Sequence, residues 1–203
     1  MSKRKIIAAA IVVLLGLWLW HFPTGVYRYR VTLDVATPEG VKSGSSVVEI
    51  SSYRTVFALL PIPVAYGSGG TAYATGEAVA VDLGSRGTLY GLLRSETSED
   101  NGRNIVWDTF RCPDCGATTP DGIRYYRWLR GKAAIPAKVM PMLVRFRDEA
   151  DPKTVEKVDS GNLAAAFGDG VTLKSATIEM VPSGWCPLGL FCIGGEPVSE
   201  GIE

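Results

Sequence analysis

Behind a basic tip, Lys3-Arg4-Lys5, the chain runs from Ile6 to Trp20 without a single charged residue. A run of this kind leaves no polar side to face water, which separates the first 22 residues from whatever globular fold follows. At ~1.5 Å per residue the run rises about 22 Å, or about 26 Å with His21 and Phe22, against about 30 Å of bilayer hydrocarbon. That length is short for a spanning helix and suits a signal-peptide core. The flank favours an anchor. The run closes on Trp18-Leu19-Trp20-His21-Phe22-Pro23, and aromatic rings are enriched at membrane interfaces, whereas signal cleavage needs small residues. No cysteine follows for lipoprotein processing. The expectation is therefore a cytoplasmic basic tip over 1–5, a transmembrane anchor or uncleaved signal over 6–22, and one extracytoplasmic β-rich domain over 23–203. A cleaved signal and a buried core helix are the alternatives. Three basic residues and the terminal amine precede the run, and only Arg28 and Arg30 closely follow it. The positive-inside bias then gives a single pass through the inner (cytoplasmic) membrane, with the C-terminal domain in the periplasm.

The remaining residues are enough for one domain with its own core. Twenty-one basic residues cancel 21 acidic ones, so nothing in the charge favours nucleic acid as a partner. The partner expected through 6–22 is the lipid bilayer, with an envelope protein or ligand for the domain. Twenty-three glycines and 12 prolines fit many turns between short strands. Tyr27, Tyr29, Val31, Leu33 and Val35 alternate with Arg28, Arg30, Thr32 and Asp34, the period of a half-buried strand. Thr37-Pro38-Glu39-Gly40 reads as a turn, and a second strand over about Ser45 to Phe57 pairs back. Leu60-Pro61-Ile62-Pro63 breaks pairing. Gly67-Ser68-Gly69-Gly70 lacks the Gly-Lys-Ser/Thr ending of a phosphate loop and reads as a plain loop.

Further strands are expected over about Glu77 to Leu83, Thr88 to Leu93 and Met142 to Arg147, with a loop over Ser95 to Arg103. A small helix is expected over about Asn162 to Phe167, capped at Asp159 or Ser160 and closed by Gly168. In the last strand, Val171 to Val181, the apolar face switches from Val171 and Leu173 to Ala176, Ile178 and Met180, which predicts a bulge. The fold class is mainly β, an antiparallel sandwich or open barrel with one or two short helices. The alternative is α+β, with a true helix in Ile123 to Lys132.

Cys112 and Cys115 form one close pair, Cys186 and Cys192 another. In an oxidising compartment they read as structural disulfides. Local pairing is favoured because Trp185 to Ile193 has the form of one closed loop, though four cysteines allow three pairings. A four-cysteine zinc site is the alternative, weakened by the wide Cys186–Cys192 spacing. A thioredoxin-like motif needs its cysteines at a helix start, and Gly116-Ala117-Thr118-Thr119-Pro120 is not expected to begin one. The one histidine, His21, lies at the membrane edge, so the domain holds no Ser-His or Cys-His device. No catalytic residue is expected. Asp148, Glu149 and Asp151, interleaved with Arg145, Arg147 and Lys153, read as a solvated, mutually paired loop. Arg124, Tyr126, Arg127 and Trp128 form an Arg-aromatic stretch of the type enriched at interaction surfaces. In the plainer reading, Tyr125 and Trp128 pack inwards beneath solvated arginines.

Three segments carry a resemblance. They are Tyr27 to Gly40 running on through Gly44-Ser-Ser-Val-Val-Glu-Ile50; Arg145 to Asp159 with Asn162 to Gly168 and Val171-Thr-Leu-Lys174; and the tail Glu196-Pro-Val-Ser-Glu-Gly-Ile-Glu203. Together they resemble an uncharacterised family of bacterial single-pass membrane-anchored proteins with no assigned activity. The resemblance implies a bacterial envelope setting and carries no functional residue. The functional expectation is a non-enzymatic, membrane-anchored envelope protein acting as a binding or scaffolding module, with no cofactor. The alternatives are an envelope hydrolase or thiol-redox protein using Cys112 and Cys115, and a zinc-stabilised structural domain.

Overall fold

The structure, a computed structural model, describes residues 3–21, 25–54, 70–95, 98–186 and 192–199. It begins with helix α1 (Lys3–His21), and only residues 22–24 separate that helix from strand β1 (Gly25–Thr37). A tight turn at Pro38 and Glu39 leads into β2 (Gly40–Arg54), paired with β1 in register from Gly25↔Ser52 to Thr37↔Gly40. Then come β3 (Gly70–Thr75), β4 (Val79–Asp82) and β5 (Thr88–Leu92), followed by helices α2 (Gly102–Thr109) and α3 (Pro120–Trp128). The chain ends through β6 (Lys132–Ala134), β7 (Met142–Phe146), β8 (Val155–Lys157), α4 (Ala164–Phe167) and β9 (Thr172–Val181).

These strands make two antiparallel sheets, of order β3-β2-β1-β9-β6 and β4-β5-β7-β8. The alternation of β1 decides how they stack. Tyr27, Tyr29, Val31, Leu33 and Val35 all turn inward and are buried. They share one apolar core with Val79 and Val81 of β4, Leu89 of β5 and Leu143 of β7. Inner faces of two antiparallel sheets interdigitating in this way make a β sandwich. Beyond α1 the helices are few and short, so the class is mainly β, although the helix on which the α+β alternative rested is present within α3. The sheets approach closely at Gly44, where a Cβ would collide with the Ala80 carbonyl oxygen. Nearby, the Ser46 hydroxyl donates to the Glu77 carbonyl at 2.8 Å.

The bulge expected in β9 is present. Asp34 faces Ser175 and Val35 faces Leu173, leaving Lys174 as the extra residue. This lets Val171 and the run Ala176, Ile178, Met180 all reach the core. The small helix is shorter than expected, Ala164–Phe167, and Gly168 closes it with φ +92°. The stretch from Ile123 is helical as part of α3, and it starts where none was expected. Thr119 Oγ1 accepts the Gly122 N–H at 3.2 Å, and Pro120 occupies the first turn. Thr-Pro-Asp is an N-cap signature, obscured in the sequence by the cysteines just before it. Leu60 to Pro63, the Gly67-Ser68-Gly69 loop and the end of the second expected strand beyond Arg54 lie outside the described residues.

Among the described residues no helix is long and apolar enough to cross a membrane. The pass expected over 6–22 is thus not found as a full span. The physical reason is the length counted above, about 22 Å of uncharged helix against about 30 Å of hydrocarbon. The helix α1 itself is present. Ile6, Ile7, Ile11, Val12, Val13, Leu14, Leu15 and Leu17 are each more than half exposed.

Candidate functional site

Strand directions gather several distant segments at one end of the sandwich. β1 starts there at Gly25, β2 ends there and β3 begins there, as the pair Arg54↔Gly70 records. β9 runs antiparallel to β1 and reaches the same end at Val181, opposite Arg28. β6 enters from that end too, with Lys132 opposite Glu179.

Helix α3 closes this end. Its Ile123 side chain lies where a Cβ on Gly25 would stand, so only glycine lets the helix seat on β1. Ile123 and Tyr126, three residues apart, share the buried face. The Tyr126 ring stacks on Tyr27 with centroids 5.5 Å apart, and Tyr125 meets its edge at 5.1 Å. Trp107 Nε1 on α2 donates to the Tyr27 phenol at 2.9 Å. Burial pushes the Tyr27 phenol up to about 12, and it pushes those of Tyr29 and Tyr126 upward as well. Tyr29 donates to the Gly102 carbonyl at the start of α2.

The four residues of the expected interaction stretch thus divide. Tyr126 belongs to the core, at 2% exposed, while Trp128 stands 72% exposed at the helix end. The Arg127 guanidinium lies 5.8 Å from the Trp128 ring centroid, and Arg124 pairs with Asp121 one turn back at 3.1 Å. An inward Trp128, the plainer expectation, is therefore corrected. The 3.6-residue period turns it away once Ile123 and Tyr126 face the core.

Both cysteine pairs are joined locally, Cys112 to Cys115 and Cys186 to Cys192. Held as disulfides, these sulphurs are not thiolate ligands. Among the described residues no group of three or more His, Cys, Asp or Glu could hold a metal ion. The first pair sits half-buried on the connection from α2 to α3, four residues ahead of the Thr119 cap. The helix start therefore lies well past both sulphurs in sequence.

The second pair closes the loop expected between Trp185 and Ile193. Those two residues form an antiparallel bridge, with N–H···O bonds of 3.0 and 2.9 Å in the two directions. Beneath the bridge the chain is drawn into a narrow neck. A Cβ on Gly184, which has φ +77°, would overlap the Gly194 carbonyl. The neck is tied to the sheet, since the Arg28 N–H donates to Ser183 Oγ at 3.0 Å and the Glu196 N–H to the Pro182 carbonyl at 2.8 Å. Arg28 reaches out to Glu49 at 2.7 Å and to the Glu196 carbonyl, and Arg30 pairs with Glu196 and Glu179. Cys186 is buried, yet Trp185 and Ile193 are 64% and 57% exposed. Sequence reasoning located this loop but did not single out those two side chains. The available signal was an apolar residue immediately outside each cysteine.

A groove of about 740 Å³ lies elsewhere, lined by Met140, Pro141, Met142 and Leu143 with Lys138, Lys157 and Asp159 among its rim residues. Its rim is already engaged. Lys138 pairs with Asp108 at 2.8 Å, and Asp159 accepts the Gly161 N–H. The acidic loop near β7 is likewise internally bonded. Asp148 and Asp151 accept the N–H groups of Ala150 and Lys153, and Arg145 and Arg147 both pair with Glu156.

No protein-family model, curated protein or solved structure matches this chain.

Proposed function

We propose that the protein is a bacterial envelope protein held at the inner membrane by α1, whose β sandwich works on the periplasmic side as a non-enzymatic binding or scaffolding module. The apolar girth of α1 carries this reading. Spaced 100° apart per residue, its exposed isoleucines, valines and leucines fall on every side of the helix. A helix that is apolar all round is stable only when it is covered, by protein core or by lipid. The basic tip favours lipid. Lys3, Arg4 and Lys5 can extend toward the headgroups and make up part of the shortfall in length, with local thinning of the bilayer supplying the remainder. Two disulfides in the domain fit an oxidising compartment.

The module part of the reading is supported by where the ionisable groups sit. The lone histidine lies on α1, and the arginines beside the acidic residues of β7 and β8 are consumed in ion pairs. The test is made on full-length protein in bacterial membranes. Resistance to carbonate extraction, digestion of the domain by protease only after the outer membrane is opened, and an intact mass retaining Met1 together with both disulfides are expected. Release by carbonate, or a mass lacking the first ~25 residues, would sink the anchor. Reproducible turnover across hydrolase and transferase panels would sink the non-enzymatic module.

A further inference from the structure

Taking α1 as the membrane anchor, we infer that the adjoining end of the sandwich rests on the bilayer surface and touches it through Trp185 and Ile193. Strand register provides the first argument. The bridge follows β9 by four residues, and β9 ends opposite Arg28, beside the start of β1. Chain length provides the second. The four peptide steps from His21 to Gly25 span at most about 14 Å. Whatever surrounds the end of α1 is therefore close to the start of β1.

The chemistry of the segment points the same way. From Pro182 to Gly195 the sequence holds no charged residue, and the five residues bracketed by the cysteines read Pro-Leu-Gly-Leu-Phe. Trp185 and Ile193 stand exposed side by side where the bridge pairs them. A hairpin meant for water would gain from charge at such positions, whereas tryptophan is favoured at headgroup level, its ring partly in hydrocarbon and its N–H in the wet layer. The bridged pair is also fastened at its base. The Cys186–Cys192 bond closes its loop, the glycine neck packs below it, and Arg28 and Glu196 secure its base. Trp128, four residues ahead of the β6 strand that enters from this same end, adds a second exposed indole with Arg127 against it. Tryptophan with arginine matches an interface of aromatic rings and anionic headgroups.

The test uses full-length protein in vesicles of equal parts phosphatidylcholine and phosphatidylglycerol, with plain or brominated acyl chains. Emission attributed to Trp185 is the difference between wild type and W185F, and emission from α1 is the difference between wild type and W18F/W20F. Brominated lipid is expected to quench both components, and the Trp185 component is expected to lie to the blue of fully hydrated indole. Trp185 is mostly exposed, so W185F should melt with the wild type, which separates a lost contact from a lost fold. Quenching of the α1 component alone overturns the inference and leaves the anchor standing. The inference also falls if Trp185 is shielded from aqueous acrylamide yet unquenched by bromolipid, which would mean a protein covers it. Quenching of neither component overturns the anchor and the inference together.

Discussion

At the end where β1 begins, Trp128, Trp185 and Ile193 stand in the open, and the chain from Pro182 to Gly195 carries no charge. At the opposite end, the turns at 38–39, 83–87 and 147–154 present Glu39, Arg86, Asp148, Glu149 and Asp151. Those groups face water and bind one another or nearby backbone. Arg86 reaches Glu39 and the Phe167 carbonyl, each at 3.0 Å, and Tyr90 donates to Glu149 at 3.0 Å. One core runs between these ends, so stability does not require them to differ. The difference speaks of surroundings. One end shows water paired charges, and the other shows it large apolar side chains.

Substitutions can separate what the two ends share from what they do not. The largest effect belongs to the seam common to both. Gly44→Val forces a side chain into the Ala80 carbonyl and is expected to remove about 3 kcal/mol, read by denaturant melt. An unchanged midpoint would mean the sheets are not clamped there. Alkali should act at the α1-side end, where Tyr27 sits. Its folded pKa, about 12, lies above the ordinary 10, so the neutral form is preferred in the folded state. The associated stability is complete below pH 10 and drains as pH rises toward 12, about 3 kcal/mol for a two-unit gap. A 295 nm titration showing Tyr27 ionising near 10, with no loss of stability beyond that pH, would contradict the buried Tyr27–Trp107 pair.

Next come the ion pairs. Glu49→Ala leaves Arg28, a residue only 8% exposed, without its carboxylate partner, and about 2 kcal/mol is expected to go. Glu39→Ala at the solvent end, where the pair is open to water and screened, should leave the denaturation midpoint essentially where it was. Equal costs would erase the contrast between the ends. The smallest effect is on the acid side. Hydroxyl donors from Ser175 and Ser43 hold the Asp34 carboxyl below its usual range. Its contribution is present above the ordinary carboxyl pKa and is lost as pH falls through the lowered one. S175A should move that loss to higher pH in an acid melt.

Much of the sandwich was legible in the strands that face water on one side. β1 shows its period in sequence because its outward residues are Arg, Thr and Asp, and the bulge of β9 shows as a break in that period. The short strands were not legible. Lys132–Ala134 and Val155–Lys157 are three residues each, too brief to display a period, and their extended form comes from the partners they add to. The eight-residue α2 was missed because its polar start, Gly102-Arg103-Asn104, continues the look of the preceding loop. Local disulfides were anticipated from the compact Trp185–Ile193 loop. The groove was not, because it joins residues near 95, 140 and 158 that only the tertiary fold brings together.

Strand β1 lies between β2 and β9 in the centre of its sheet. Its first neighbour follows within a tight turn, but the second begins at Thr172, some 135 residues after β1 ends at Thr37. At roughly 5–20 residues per second, a growing chain presents the β1–β2 hairpin with the β1 edge unpaired for many seconds before β9 is made. The last segment then fastens to two neighbouring strands of that sheet, since Ser183, Glu196 and Ser199 bond to Arg28, Arg30 and Val47. The centre of that sheet is therefore completed last, and a nascent or truncated chain lacking only its final thirty or so residues would offer the central strand itself as a template for aggregation.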